Sequence, residues 1–156
     1  MQKTNVHLNP FIEKISYITR AYELCSVEPC KTLNLSQTEL DIIAFLANNP
    51  GTDTAGDIAT YRYISKASIS LTVDSLIQKK LLTAKPDDDD RRRIHLALTK
   101  KAASMVKTIN DSREKLRAVL FEGFSLKEKD ALLDGVSRAA ENAHQFITKK
   151  NVEEGI

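Results

Sequence analysis

Leu81-Leu82-Thr83-Ala84-Lys85-Pro86-Asp87-Asp88-Asp89-Asp90-Arg91-Arg92-Arg93-Ile94-His95-Leu96-Ala97-Leu98-Thr99 is the one stretch where the chain leaves a helical period. Two short extended segments, 81–85 and 94–98, flank a tip at 86–93 that is too charged to be core. The second segment alternates strictly, as a half-buried strand does. The pattern reads as a β-hairpin with a long polar tip.

Helical signals surround the hairpin. Upstream, Ser65 reads as the cap of a helix over 66–79, with Ile69, Val73, Leu76 and Ile77 inward and Lys66, Ser68, Ser70 and Thr72 outward. Before it, Thr54-Ala55-Gly56-Asp57 opens a short helix to about Arg62, and a turn at 63–65 joins the two. Ser36-Gln37-Thr38-Glu39 is a capping box for a helix carrying Leu40, Ile43, Leu46 and Ala47, stopped by Asn48-Asn49-Pro50-Gly51. Asn9-Pro10 starts the first helix. Phe11, Ile15, Ile18, Tyr22 and Cys25 mark its inner face over about 17 residues, and Pro29 is expected to end it.

Downstream, Thr99 caps a helix with Ala102, Val106, Ile109, Leu116 and Leu120 on one side, broken at Gly123. Ser125-Leu126-Lys127-Glu128 opens a last helix of about 24 residues, roughly 36 Å long, which is more than a compact domain of this size needs. Helix, helix, helix, strand, charged tip, strand is the order of a winged helix-turn-helix, set between further helices. The fold class is mainly α with a small β-hairpin wing.

The chain has 156 residues, 42% of them hydrophobic and 28% charged, with no Trp and nine Gly and Pro together. This excludes disordered, collagen-like and disulfide-rich classes. No apolar run is long enough to span a bilayer, and Met1 to Pro10 lacks the pattern of a secretion signal, so a cytoplasmic protein without membrane partners is expected.

The net charge of +2 conceals a centre at 60–107 with a balance of +6, built by Arg62, Lys66, Lys79, Lys80, Lys85, Arg91 to Arg93, Lys100, Lys101 and Lys107. A basic centre between acidic flanks points to an anionic partner, double-stranded DNA first. Small hydroxyl residues on the outer face of 66–79 allow close entry to a major groove. Lys66 and the capped helix starts at Ser65 and Thr54 suit phosphates, and the arginine tip suits the minor groove.

Other chemistries are poorly supported. Cys25 and Cys30 stand on different helical faces, and the three histidines are scattered, so no metal site is expected. Asp87 to Asp90 lack the spaced ligands and the glycine of a calcium loop. No glycine-rich phosphate loop or nucleophile motif occurs, so neither a catalytic residue nor a cofactor is assigned.

Asp90 to Thr99, with Asp57-Ile58-Ala59, Ser65 to Ser70 and Val73 to Leu76 in order before it, resembles the MarR family signature. The resemblance runs from about Ser36 to Lys101. It implies a homodimeric transcription regulator, usually a repressor, that binds a pseudo-palindromic operator and responds to a small-molecule effector. It makes residues 1–35 a dimerisation helix, 36–101 the DNA-binding lobe, 102–150 the helices completing the dimerisation domain, and 151–156 a tail. Phe11, Ile15, Ile18 and Tyr22, with Val136, Ala140, Ala143 and Ile147, fall in the shared core. Arg92 corresponds to the wing arginine, oriented by Asp90. With Thr54, Arg62, Ser65, Lys66, Ser68, Ser70, Thr72, Arg91 and Arg93, these two complete the expected DNA-contacting set.

Four positions depart from the family pattern. Leu71 and Ser75 stand where basic residues are frequent, and Tyr63 and Lys80 where glycine is common. Three extra carboxylates beside the wing arginines also oppose phosphate binding. Leu71 and the Asp run support an alternative reading, a winged-helix dimer that binds protein and not DNA.

Overall fold

The computed structural model describes residues 10–62 and 65–154; at Phe11, Tyr61, Arg62, Val152 and Glu154 it describes the backbone alone. Two compact units divide the chain, Met1–Arg117 and Ala118–Ile156.

In the first unit the order is α1 (Pro10–Leu33), α2 (Gln37–Asn48), α3 (Ala55–Arg62), α4 (Lys66–Gln78), β1 (Leu82–Pro86), β2 (Ile94–Leu98) and α5 (Lys100–Leu120), whose last residues enter the second unit. The strands pair antiparallel from Leu82 opposite Leu98 to Pro86 opposite Ile94. This is a winged helix-turn-helix, as expected. Its core draws on every element but α1: Leu40 and Ile43 from α2, Ile58 from α3, Ile69 and Leu76 from α4, Leu82 and Leu96 from the hairpin, Ala102 and Ile109 from α5.

Pro29 does not end α1. It lies buried inside a helix of 24 residues. An interior proline forfeits one hydrogen bond and crowds the carbonyl one turn back. Here Cys30 and Leu33, beyond the proline, pack against the core, and that packing holds the last turn in place. The stop is supplied by Asn34, left-handed at φ 53°, where the Asn34 N–H reaches Lys31 O and the Leu35 N–H reaches Cys30 O. The Asn9 cap lies outside the described residues.

Ile77, expected on the inner face of α4, is 36% exposed. Ile69, Val73 and Leu76 define the buried stripe, and at 100° per residue Ile77 falls about 70° from its centre. The helix closes through Lys80, left-handed at φ 58°, with Leu81 N–H on Leu76 O and Lys80 N–H on Ile77 O.

The second unit holds the turn after α5 and α6 (Leu126–Glu154). Gly123 takes φ +78° in that turn, and the Ser125–Glu128 capping box forms as read, with Ser125 N–H on Glu128 Oε2 at 2.8 Å and Glu128 N–H on Ser125 Oγ at 3.3 Å. The helix runs 29 residues and not about 24, because no glycine or proline stands between Gly135 and Gly155 and Lys150 pairs with Glu153 on its last turns. Leu132, Leu133, Val136, Phe146 and Ile147 are all exposed within this unit.

Candidate nucleic-acid interface

The free face of α4 begins at Ser65, whose hydroxyl oxygen accepts the Ser68 N–H at 3.2 Å and whose hydroxyl proton goes to Ser68 Oγ. Thr72 donates to Ser68 O at 2.9 Å, a bond within its own helix. Three of the expected contact hydroxyls are thus already engaged locally. The Ser70 hydroxyl makes no hydrogen bond among the described residues, and Ser70 and Lys66 stand exposed. Leu71, beside them, is 73% exposed, a large apolar side chain on a mainly polar face.

α3 starts with a closed capping arrangement. Thr54 N–H and Oγ1–H donate to Asp57 Oδ2, and Asp57 N–H returns a bond to Thr54 Oγ1. The Thr54 hydroxyl bond, against a smaller opposing effect of burial and with help from nearby Arg93 and His95, holds the Asp57 carboxyl below its ordinary range. Thr54, Ala55 and Gly56 share one open groove with Asp90, Arg92, Arg93 and Ile94, so the start of α3 and the base of the wing face a common space.

Three of the four aspartates of the wing have separate roles. Asp87 Oδ1 turns into the tip and accepts the N–H groups of Asp89 and Asp90 at 2.8 and 3.0 Å. Asp88 lies 3.5 Å from Lys85 Nζ. Asp90 Oδ1 accepts both the N–H and the Nε–H of Arg92 at 3.1 Å, while the Arg92 side chain remains 93% exposed. Asp87 N–H on Arg93 O and Arg93 N–H on Asp90 O close the loop. Asp87, one of the three extra carboxylates read as opposing a basic wing, instead helps to build it, while Asp90 holds Arg92.

The sequence reading missed His95. Its Nδ1 lies 2.7 Å from Asp53 Oδ1, in the loop before α3, and its Nε2 2.8 Å from Asp87 Oδ2. Leu96 N–H donates to Asp53 O, and Thr54 bridges to His95, which fastens β2 to that loop. The Asp87 hydrogen bond first, then that of Asp53, raise the His95 pKa above 6.5; Asp87 is lowered by the Asp90 N–H first, then by His95. No local spacing links the three residues.

Lys79 belongs to the basic centre by count only. Its Nζ donates to buried Glu39 Oε2 at 2.7 Å and to Asn34 O at 3.2 Å. Ser75, at a position the resemblance marks as frequently basic, donates to Glu39 Oε1 at 2.7 Å. Burial would raise the Glu39 pKa, but the Lys79, Ser36 and Ser75 bonds together bring it below 4.5.

Among the residues expected in a shared core, Ile15, Ile18, Val136, Ala140, Ala143 and Ile147 are exposed. Tyr22 is half-buried, its hydroxyl donating to Asp41 and accepting from Gln37 and Arg113. The side chains of Phe11 and Arg62, and all of Tyr63, lie outside the described residues. Cys25 and Cys30 are free, and burial, with Asp41 and Glu39, raises the Cys30 thiol's pKa. Among the described residues no helix is long and apolar enough to cross a membrane.

Residues 33–93 match the MarR family model. A MarR protein from Peptoclostridium difficile superposes with a TM-score of 0.81 at 19% identity, covering 96% of each chain. A MarR family transcriptional regulator from Listeria monocytogenes, solved with a 26mer DNA, gives 0.80 at 20% identity over 92% of this chain and 94% of that one. The MepR–DNA complex of S. aureus gives 0.71 at 15% identity, covering 90% and 99%. The fold is that of MarR-family transcriptional regulators.

Proposed function

We propose, from a MarR-family segment at residues 33–93 set in a MarR-type fold, that the protein is a homodimeric, sequence-specific DNA-binding regulator of transcription, a repressor acting in the cytoplasm. The observation that carries this reading is the pairing of an exposed, mainly polar α4 face with a hairpin tip whose Arg92 is held by Asp90 and projects into solvent. In the proposed complex α4 lies in the major groove, with Ser65, Lys66, Ser68, Ser70 and Thr72 against it. Arg91, Arg92 and Arg93 reach the adjacent minor groove, where the negative potential attracts guanidinium. Thr54 acts through the N-terminal amides of α3, since its hydroxyl is taken by Asp57.

Two copies related by a two-fold axis call for half-sites about 34–36 Å apart on a pseudo-palindromic operator. Release by a small molecule is supported by an open groove between α1 and α5, lined by Leu24, Cys25, Pro29, Thr108 and Ser112 among others. No enzymatic activity is proposed, and no cofactor or metal.

The test is fluorescence anisotropy on a duplex from the gene's own upstream region beside a scrambled duplex, across a salt series. Each phosphate neutralised contributes about 0.9 to the log–log slope. A steep slope with at least about a hundredfold preference for the native duplex supports a specific regulator. Absence of binding to either at low salt, by folded protein, rejects it in favour of a protein-binding module, for which exposed Leu71 is the specific support.

A further inference from the structure

We infer that His95, as an imidazolium, is the positioning residue of the wing: it ties the tip through Asp87 to the loop before α3 through Asp53, and so sets where Arg92 and Arg93 project. The inference rests on the DNA-binding reading for its consequence, but not for its geometry.

A neutral imidazole has one N–H and one lone pair. At 2.7 and 2.8 Å both ring nitrogens face carboxylate oxygens, which only accept. The neutral ring holds one carboxylate and repels the other, whereas the cation holds both. The groups around the ring favour the cation: Asp53 from the loop, Asp87 from the tip and Asp57 from the first turn of α3, against Arg93, which faces Asp57, and Lys85, opposite His95 in the ladder. The ring is a third exposed, so protons exchange without unfolding.

The link continues to the arginine. Asp87 uses its second oxygen to fix the amides of Asp89 and Asp90, and the Asp90 carboxylate fixes Arg92. Loss of the proton therefore frees the tip from the loop before α3 while leaving α4 and the core untouched. The device makes the wing, and not the recognition helix, sensitive to pH in the alkaline direction.

Two measurements test this on the full chain. The first follows, without DNA, the ¹⁵N shifts of the His95 ring, the Asp89 and Asp90 amides and Arg92 Nε across the neutral and alkaline range. The expected result is a ring protonated on both nitrogens at neutral pH, with the tip signals moving at the ring's own midpoint. A neutral ring at neutral pH, or a tip indifferent to the ring, overturns the proposal.

The second measures binding to the upstream duplex over the same range for wild type, H95Q and D53N, with α4 amide shifts checking that each variant is folded. Wild type is expected to lose roughly tenfold in affinity as the ring deprotonates, the scale of a lost charge-assisted bond. H95Q should bind weakly and without that pH dependence, and D53N should move the midpoint down. H95Q with the wild-type affinity and profile overturns the positioning role and leaves the DNA-binding reading standing. A tip that moves with His95 in a protein that binds no duplex at any pH supports the positioning role and sinks the DNA-binding reading instead.

Discussion

Glu39 shows how much one side chain can be asked to do. It closes the α2 capping box, accepts Ser75 from α4 and pairs with Lys79 at the end of α4, all while nearly sealed from solvent. Glu39→Gln keeps the shape but strands Lys79 and weakens three bonds, so a loss of about 1.5–3 kcal/mol is expected in urea unfolding. Because the folded pKa of Glu39 is depressed, its stabilisation is whole above 4.5 and is lost as pH falls through the lower folded value. The variant should therefore show a flatter acid limb than wild type. His95 has the opposite sign. Its raised pKa means the stabilisation is whole below 6.5 and lost as pH rises through the folded value. On the proposed DNA face, Arg92→Ala should reduce the salt slope by about 0.9 and weaken most duplexes alike. Ser70→Ala should change sequence preference more than affinity. Equal binding by Arg92→Ala and wild type across the salt series would remove the wing from the interface.

At the scale of elements, what could be read in the sequence was what closes within one turn. The boxes at Ser36 and Ser125 place both partners three residues apart, and both form as read. The hairpin was legible because a change of period coincides with a run of charge. Pro29 misled because a local penalty was set against nothing, while the tertiary packing of Cys30 and Leu33 that outweighs it is invisible locally. The His95 link joins residues 42 and 8 positions apart, and no pattern of spacing announces it. Lys80 lies between these cases. The sequence reading marked it as a common glycine position, and its φ of 58° bears that out. A left-handed residue with a Cβ costs roughly 1–2 kcal/mol, and glycine returns part of this as added freedom in the unfolded chain. Lys80→Gly should raise stability by about 0.5–1 kcal/mol, seen as a higher urea midpoint with an unchanged slope. A lower midpoint would mean that the Lys80 side chain makes a contribution its backbone geometry does not reveal.

At the scale of the whole molecule, the apolar surface is distributed as in a chain that buries it against another. The first unit by itself leaves Ile12, Ile15 and Ile18 of α1 exposed, and the second leaves Leu132, Leu133, Val136, Phe146 and Ile147 of α6 exposed. Monomeric proteins scatter exposed apolar residues singly; runs at helical spacing mark an interaction face. A helix of 29 residues that buries almost nothing in its own unit has little to hold it in water, since helix stability comes mainly from packing of the apolar face. A second copy of the chain supplies that packing in the proposed dimer. Sedimentation should therefore give twice the 17.4 kDa chain mass, and Tm should rise with protein concentration, as mass action requires. Val136→Asp, at a residue 56% exposed in the isolated chain, leaves the core of the winged-helix lobe intact and places a charge in the proposed interface. It should shift the protein to the monomer and lower Tm. Duplex affinity should fall further than any loss of one phosphate contact explains, because two half-sites are then read independently. A Val136→Asp protein that stays dimeric with an unchanged Tm would place the interface elsewhere and leave the exposed stripe of α6 to another partner.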